Sequence, residues 1–482
     1  MISHQEIKNL VAEWGLREDI IEKDYVIGWL LWGISAEPEL NANWAFKGGT
    51  ALKKCFIETW RFSEDLDFTV LPDGPDKPET IEPLIRRVLD RIHEESGIDF
   101  TIKAPLFKYA DKYKYTEGRI YYRGPRNSSK AASIKLDINT LEKIVRPTVL
   151  RAIHHPYNDI LPEPIKVRCY SFEEVFAEKL RAMGERGRPR DLYDVVLLSR
   201  RSDFQVGSKL IKRVLEEKCL TKGVSVPTLD SIQTATTKGE LISEWESMLG
   251  HQLQALPPFD DFWVELPQIF NWLNGAAQPA KLASIGRRRD EDSTWTPPPA
   301  IRQWGLGVPL ESIRFAAVNH LCVELGYKKE NGQYTQPIIE PYSLRQTKDG
   351  HLVLHAVKAQ TGETRSYRVD RIKSIKVSQK TFQPRYEIEF SSAGAVHAQP
   401  TARKTEFLPY RGVRTATVRK PRRSTSSRPR NSFNASGMKY VFPCGMCMKK
   451  FTKSTNNSTL RAHKNSFGIA CSGRHGYLVG YK

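Results

Sequence analysis

Phe46-Lys47-Gly48-Gly49-Thr50-Ala51-Leu52-Lys53-Lys54 and, a short interval later, Arg61-Phe62-Ser63-Glu64-Asp65-Leu66-Asp67-Phe68-Thr69-Val70 decide the reading of this chain. Trp44-Ala45-Phe46-Lys47 is a short apolar strand running into a double glycine, where a helix is predicted to start. Backbone N–H groups exposed at such a helix start can cradle phosphates. Residues 65–70 alternate as a second strand, so Asp65 and Asp67 point to the same face. That spacing offers two carboxylates to one divalent cation, or bridges two of them. Asp137, in Ile134-Lys135-Leu136-Asp137-Ile138-Asn139, is flanked alternately by apolar residues and is expected to bring a third carboxylate from a neighbouring strand. Alone, Asp-x-Asp on a strand is more often a solvated face, and Gly-Gly more often a turn. Together, in this order, the pieces match the way two-metal phosphoryl and nucleotidyl transfer sites are built.

Outward from this stretch, residues 2–14, 22–34 and 79–95 carry helical apolar spacing. Strands are expected around 100–113 and 119–123 and over 133–139. From Ser171 the pattern turns helical, and Ser171-Phe172-Glu173-Glu174 reads as a capping box. Residues 1–275 therefore form one α/β (α+β) unit with a helical second half. Residues 276–312 are a Pro/Gly/charge-rich linker. Residues 313–390 return to a compact β-rich pattern, in which 351–357, 365–369 and 385–390 alternate and Lys348-Asp349-Gly350 makes a hairpin turn. Residues 391–436 are a basic Ser/Arg/Pro-rich stretch expected to be disordered, and residues 437–482 form a last small module.

The chain has 482 residues, 40% hydrophobic and 10% aromatic, enough for two to four folded units with sizeable cores. Wholesale disorder and a collagen-like or small disulfide scaffold are excluded. No run approaches the ~18 consecutive apolar residues of a membrane helix, and the start lacks a signal-peptide core. Seven scattered cysteines do not make a disulfide framework. The expectation is a cytoplasmic protein with no membrane partner. Its net charge of +19 is uneven: residues 391–482 hold 18 Lys/Arg against one acid, Glu406. A nearly neutral body with a strongly basic tail points to a polyanion partner, held through phosphate contacts and counterion release. A merely solubilising tail is the plainer alternative.

Cys444-x2-Cys447-x15-His463-x7-Cys471 has the spacing of a small structural Zn²⁺ site, with His475 a competing fourth ligand. So short a module builds little core without such a staple. Lys449, Lys450, Lys453, Arg461 and Lys464 interleave there with Phe451 and Phe467, which suits nucleic acid, RNA or DNA. Cys55, Cys169, Cys219 and Cys322 lie in apolar settings and are expected in the core.

The Gly-Gly-Thr and Ser-x-Asp-x-Asp motifs resemble those of the AbiEii/AbiGii toxin family. So do Ala177-Glu178-Lys179-Leu180-Arg181-Ala182 and Arg190-Asp191-Leu192-Tyr193-Asp194. The resemblance covers roughly residues 1–275 and rests on four motifs in the right order; Pro189 stands where the family usually has a small residue. The resemblance implies a DNA polymerase β-like nucleotidyltransferase fold and a toxin of a type IV toxin–antitoxin or phage-defence system. It implies transfer of a nucleoside monophosphate from an NTP to RNA, tRNA above all, with Mg²⁺, and a cognate antitoxin partner. It places Asp65, Asp67, Lys179 and Asp191 as catalytic residues, and Gly48, Gly49, Thr50, Ser63 and Lys179 around the nucleotide. Asp65, Asp67 and, more loosely, Asp137 hold Mg²⁺, and Asp194 orients a neighbour. Residues 338–375 resemble a WYL domain, an SH3-like small β-barrel. This places Tyr342, Arg345, Arg365, Arg368 and Arg371 in a ligand groove, although His351-Leu352-Val353 replaces the naming triplet. Two rival readings are a nucleotide-sensing, nucleic-acid-binding regulator, and transfer to a protein hydroxyl.

Overall fold

A computed structural model describes residues 1–57, 61–162, 165–201, 207–277, 281–295 and 310–390. It also describes 440–444, 450–453, 460, 463–464, 470–471 and 480–481. The chain divides into two compact units, Met1–Lys404 and Thr405–Lys482.

The first unit opens with α1 (His4–Trp14), whose first turn is capped by Ser3, and α2 (Glu18–Ala36). Helix α2 buries fifteen of its nineteen residues, so it is the central core helix and not an amphipathic surface one. Next come α3 (Pro38–Asn43), β1 (Trp44–Lys47) and a single turn, α4 (Gly48–Ala51), which runs on as a π-helical turn over Leu52–Phe56. Then follow β2 (Asp65–Val70), α5 (Pro78–Ser96), β3 (Leu106–Ala110), β4 (Tyr115–Tyr122) and β5 (Ala132–Asn139). Strands β6 (Val149–Ala152) and β7 (Lys166–Cys169) complete a seven-stranded sheet of order β3-β4-β5-β2-β1-β7-β6. Strand β2 is antiparallel to β1 and parallel to β5, and β1 is parallel to β7.

The helical second half begins with α6 (Phe172–Arg186), α7 (Pro189–Ser199) and α8 (Ser208–Lys222). Ser171 caps α6 by accepting from the Glu174 N–H at 3.3 Å, but the reciprocal half of the expected capping box does not form. The buried Glu174 carboxylate instead accepts from the Val145 and Arg146 N–H groups and pairs with Lys218 at 2.7 Å. It pins α6 to the segment before β6 and to α8. Gly187, at φ +49°, ends α6, and Pro189 occupies the first turn of α7, where its missing N–H costs no bond.

Past helix Leu310–Val318, strands β8 (Leu321–Lys328), β9 (Tyr334–Thr335), β10 (Ile338–Gln346), β11 (Leu352–Lys358), β12 (Thr364–Arg368) and β13 (Ile372–Thr381) form a second, antiparallel sheet. Its order is β12-β11-β10-β8-β13, with β9 on β8. The sheet curls as a half-barrel, and among the described residues its end strands β12 and β13 do not pair with each other. The turn at Lys348-Asp349-Gly350 joins β10 to β11 as expected, with Gly350 at φ +84°. Residues 385–390 alternate like a strand but do not form one. Pro384 removes a ladder donor ahead of them. The Arg385 N–H is held by the Tyr342 hydroxyl, and the Glu387 N–H by the Ala283 carbonyl. The half-barrel is tied to the helices by Tyr193 donating to Asn319 at 2.8 Å and Arg200 to the Val318 carbonyl at 3.1 Å.

In the second unit β14 (Tyr440–Pro443) pairs with β15 (Lys450–Lys453) and with β18 (Gly480–Tyr481), and β16 (His463–Lys464) pairs with β17 (Ala470–Cys471). Among the described residues no helix is long and apolar enough to cross a membrane.

Candidate active site

Strand register builds the site. Lys47 lies opposite Asp67 across β1 and β2, and Asp67 lies opposite Asp137 across β2 and β5. Asp65 lies opposite Lys135 in the adjoining row. Directly paired residues share a sheet face, so the three aspartates stand together. They line a cavity of about 500 Å³ with Gly48, Gly49, Ser63, Lys179 and Asp191. Every expected catalytic residue therefore reaches one cavity.

Gly48 and Gly49 form its wall at close quarters. Gly48 has φ +79°, and a Cβ there would overlap the Asp67 carboxylate. A Cβ on Gly49 would come within 2.7 Å of the Arg61 guanidinium. Thr50 sits behind this wall: it is buried, and its hydroxyl donates to the Asp65 carbonyl at 2.5 Å, fixing the loop to the carboxylate strand.

Burial pushes the Asp67 carboxyl up to about 6, with Lys47 opposing and Asp137 and Asp65 adding repulsion. Burial and then Asp137 likewise raise Asp65. A cluster of carboxylates that resist ionisation together is one that a bound cation would relieve. Asp137 accepts from the Tyr115 hydroxyl and pairs with the Lys135 ammonium at 2.9 Å. Among the described residues no group of three or more His, Cys, Asp or Glu side chains is arranged to hold a metal ion. Mg²⁺ needs none, since it is ordinarily held by one or two carboxylates together with substrate phosphates and water. The paired carboxylates Asp65 and Asp67 are oxygen donors of the kind it takes, with Asp137 on the same face.

The opposite wall comes from α6 and α7. Lys179 on α6 places its ammonium 2.7 Å from Asp194 and 3.9 Å from Asp191. Arg61 donates to both Asp194 oxygens at 2.8 Å. Arg186 does the same to Asp191 at 2.8 and 3.0 Å. Burial opposes ionisation of Asp194, yet Arg61 and Lys179 hold its carboxyl below the usual range. Asp194 thus orients its neighbours, while Asp191 is engaged by Arg186 and faces the same cavity. Sequence reasoning missed Lys47, Glu178 and Lys135. Lys47 pairs with Glu178 at 3.2 Å. Lys47, Lys218 and Arg181 overcome the effect of burial and hold the Glu178 carboxyl well below its ordinary value. Lys135 was legible, being two residues before Asp137 on the same strand face.

In the half-barrel, Arg345 is buried and already occupied. It donates to the Ile285 and Gly286 carbonyls and pairs with Glu291 at 3.2 Å and Glu389 at 3.1 Å. Tyr342 is fully buried and donates to Glu340. Arg365, Arg368 and Arg371 pair with Glu363, Asp370 and Glu330. In the second unit His463 and Cys471 are register partners, and the buried Cys444 follows β14; Cys447 lies outside the described residues. Cys55, Cys169, Cys219 and Cys322 are all buried.

No curated protein matches the chain. Among solved structures it is similar to proteasome accessory factor B/C (PafBC) of Arthrobacter aurescens, at 10% identity and a TM-score of 0.16. The match covers 58% of this chain and 59% of that one, so the chain spans under two thirds of that protein's length. Residues 29–265 match the family described as nucleotidyl transferase AbiEii toxin, type IV TA system, and residues 309–377 match the WYL domain. The cavity lies wholly within the first of these matches, so the chain carries a domain that matches the AbiEii nucleotidyl transferase toxin family, followed in sequence by one that matches the WYL domain.

Proposed function

We propose that the protein transfers a nucleoside monophosphate from an NTP to an RNA hydroxyl, with tRNA the acceptor. The observation that carries this reading is the meeting, in one cavity, of Asp65, Asp67 and Asp137 with the Gly48-Gly49 wall and Lys179. The backbone of Gly48 and Gly49 lets the triphosphate approach where any side chain would block it. Lys179, held by Asp194, neutralises a phosphate, and Ser63 lies beside the nucleotide. Asp65 and Asp67 would hold Mg²⁺, with Asp137 as a third donor. When bound, that ion lowers the pKa of the acceptor hydroxyl and neutralises charge on the triphosphate. The hydroxyl oxygen bonds to the α-phosphorus as the bond to the bridging oxygen breaks, and pyrophosphate leaves. Asp191 keeps Arg186 at the mouth. The basic residues of 391–482 retain the polyanion, and a Zn²⁺ held by Cys444, Cys447, His463 and Cys471 staples that module.

The test is incubation with Mg²⁺, total tRNA and each α-labelled NTP in turn, beside Asp65→Ala/Asp67→Ala. Label on tRNA that vanishes in the double variant is the expected result. Label on protein instead moves the acceptor, and NTP binding with no label anywhere overturns the reading in favour of a sensor.

A further inference from the structure

The row that carries the carboxylates does not stop at them. Asp137 on β5 lies opposite Glu117 on β4, and Glu117 lies opposite Lys108 on β3. The adjoining row runs from Asp65 through Lys135 and Arg119 to Leu106. Paired residues share a face, so these side chains extend one surface from Asp67 to the sheet edge, roughly 14 Å over three strand spacings. The reverse face of β4 is closed, with Thr116, Gly118, Ile120 and Tyr122 buried. On the near face Lys108 and Arg119 are exposed, and Leu106 is 45% exposed. Tyr121, further along that face, has the Lys103 ammonium 4.1 Å from its ring centre. Tyr113, in the turn between β3 and β4, is 61% exposed.

Charge agrees with shape. Between residues 103 and 121 the cations Lys103, Lys108, Lys112, Lys114 and Arg119 outnumber Asp111 and Glu117. Glu117, the acid between Asp137 and Lys108 in that row, has Arg119 at 3.6 Å and Lys135 at 3.7 Å, so a phosphate arriving there would meet two cations. Tyrosines and an exposed leucine set among lysines and arginines make a stacking platform with an electrostatic track. The track leads to the carboxylates of the cavity.

We propose that the open face of β3, β4 and β5 is the docking floor for the unpaired 3′ strand of the acceptor RNA. The strand runs from Lys108 at the sheet edge, past Arg119 and Lys135, to Asp137. This rests on the reading of Asp65, Asp67 and Asp137 as the reaction centre, and it places acceptor recognition in the transferase body, apart from the basic tail.

The test uses the full chain and a twelve-residue oligoribonucleotide carrying 4-thiouridine near its 3′ end. The complex is irradiated, digested and mapped by mass spectrometry. Adducts are expected within residues 103–135. Their yield should fall at least tenfold in Lys103→Ala/Lys108→Ala/Arg119→Ala, whose melting temperature and tail adducts should be unchanged. Adducts confined to residues 391–482, or a yield at the floor unmoved by the triple variant, overturn the proposal. Label transfer is scored separately. Floor adducts without transfer would fail the reaction and keep the floor, and transfer with adducts only elsewhere would do the reverse.

Discussion

Lys179 and Asp194 stand 2.7 Å apart in the wall of the carboxylate-lined cavity, and the same carboxylate takes two nitrogens of Arg61. Asp194, Arg61 and Lys179 are all buried. The direction in which Lys179 points is therefore decided by a residue that need not touch the nucleotide. Asp194→Ala strands two cations in the wall and is expected to cost about 3–5 kcal/mol in urea unfolding. Asp194→Asn keeps the volume and loosens Lys179, which should cut kcat/KM for NTP about 100-fold. Unchanged kinetics in that variant would remove Asp194 from its positioning role.

Gly48 is the position where the backbone itself makes the site. Gly48→Ala forces a side chain into the left-handed region, for about 1–2 kcal/mol, and drives it against Asp67. Thermal stability should fall modestly while Mg²⁺-dependent NTP binding, followed by calorimetry, weakens at least tenfold.

Behind the sheet, Lys54 and Asp24 form a wholly buried pair at 2.5 Å, and Tyr157 donates to the same carboxylate at 2.8 Å. Lys54→Met leaves that carboxylate without its cation and should destabilise the chain by about 3–5 kcal/mol. Lys54→Met/Asp24→Leu should recover most of the loss. Equal losses in the single and double variants would contradict this account of the pair.

Burial drives the pKa of His154 and His320 well below the ordinary 6.5, with cations nearby in both cases. Each is neutral in the folded chain and protonates on unfolding, so the unfolded state binds more protons and stability falls as pH drops through 6.5. The loss between pH 6.5 and 5.5 should be about 1 kcal/mol per histidine. Melting curves across that range, compared with those of His320→Asn, measure it.

The carboxylate strand and the glycine turn were legible because both are local: period-two alternation aims Asp65 and Asp67 together, and only glycine suits the bend at Gly48. Asp137 could be suspected on the same grounds. Its placement beside Asp67 was not legible, because register between strands some seventy residues apart is set by packing. The row from Lys47 to Lys108 depends on three further registers, between residues 9 to 20 apart in sequence. The same gap misplaced residues 385–390, where alternation reads as a strand but Pro384 and the Tyr342 hydroxyl fix a different path. Glu174 shows a tertiary partner overriding a local motif, since Lys218 and two N–H groups claim the carboxylate that a capping box would use.

Pyrophosphate release, counted against nucleotide attached to tRNA in single-turnover reactions, tests the central claim most directly. The wild-type chain should release one pyrophosphate per nucleotide attached in the presence of Mg²⁺. Asp67→Asn should release none while keeping its melting temperature. Undiminished release from a folded Asp67→Asn, or NTP bound by the wild type with no pyrophosphate formed, would contradict the assignment of this cavity as the transfer site.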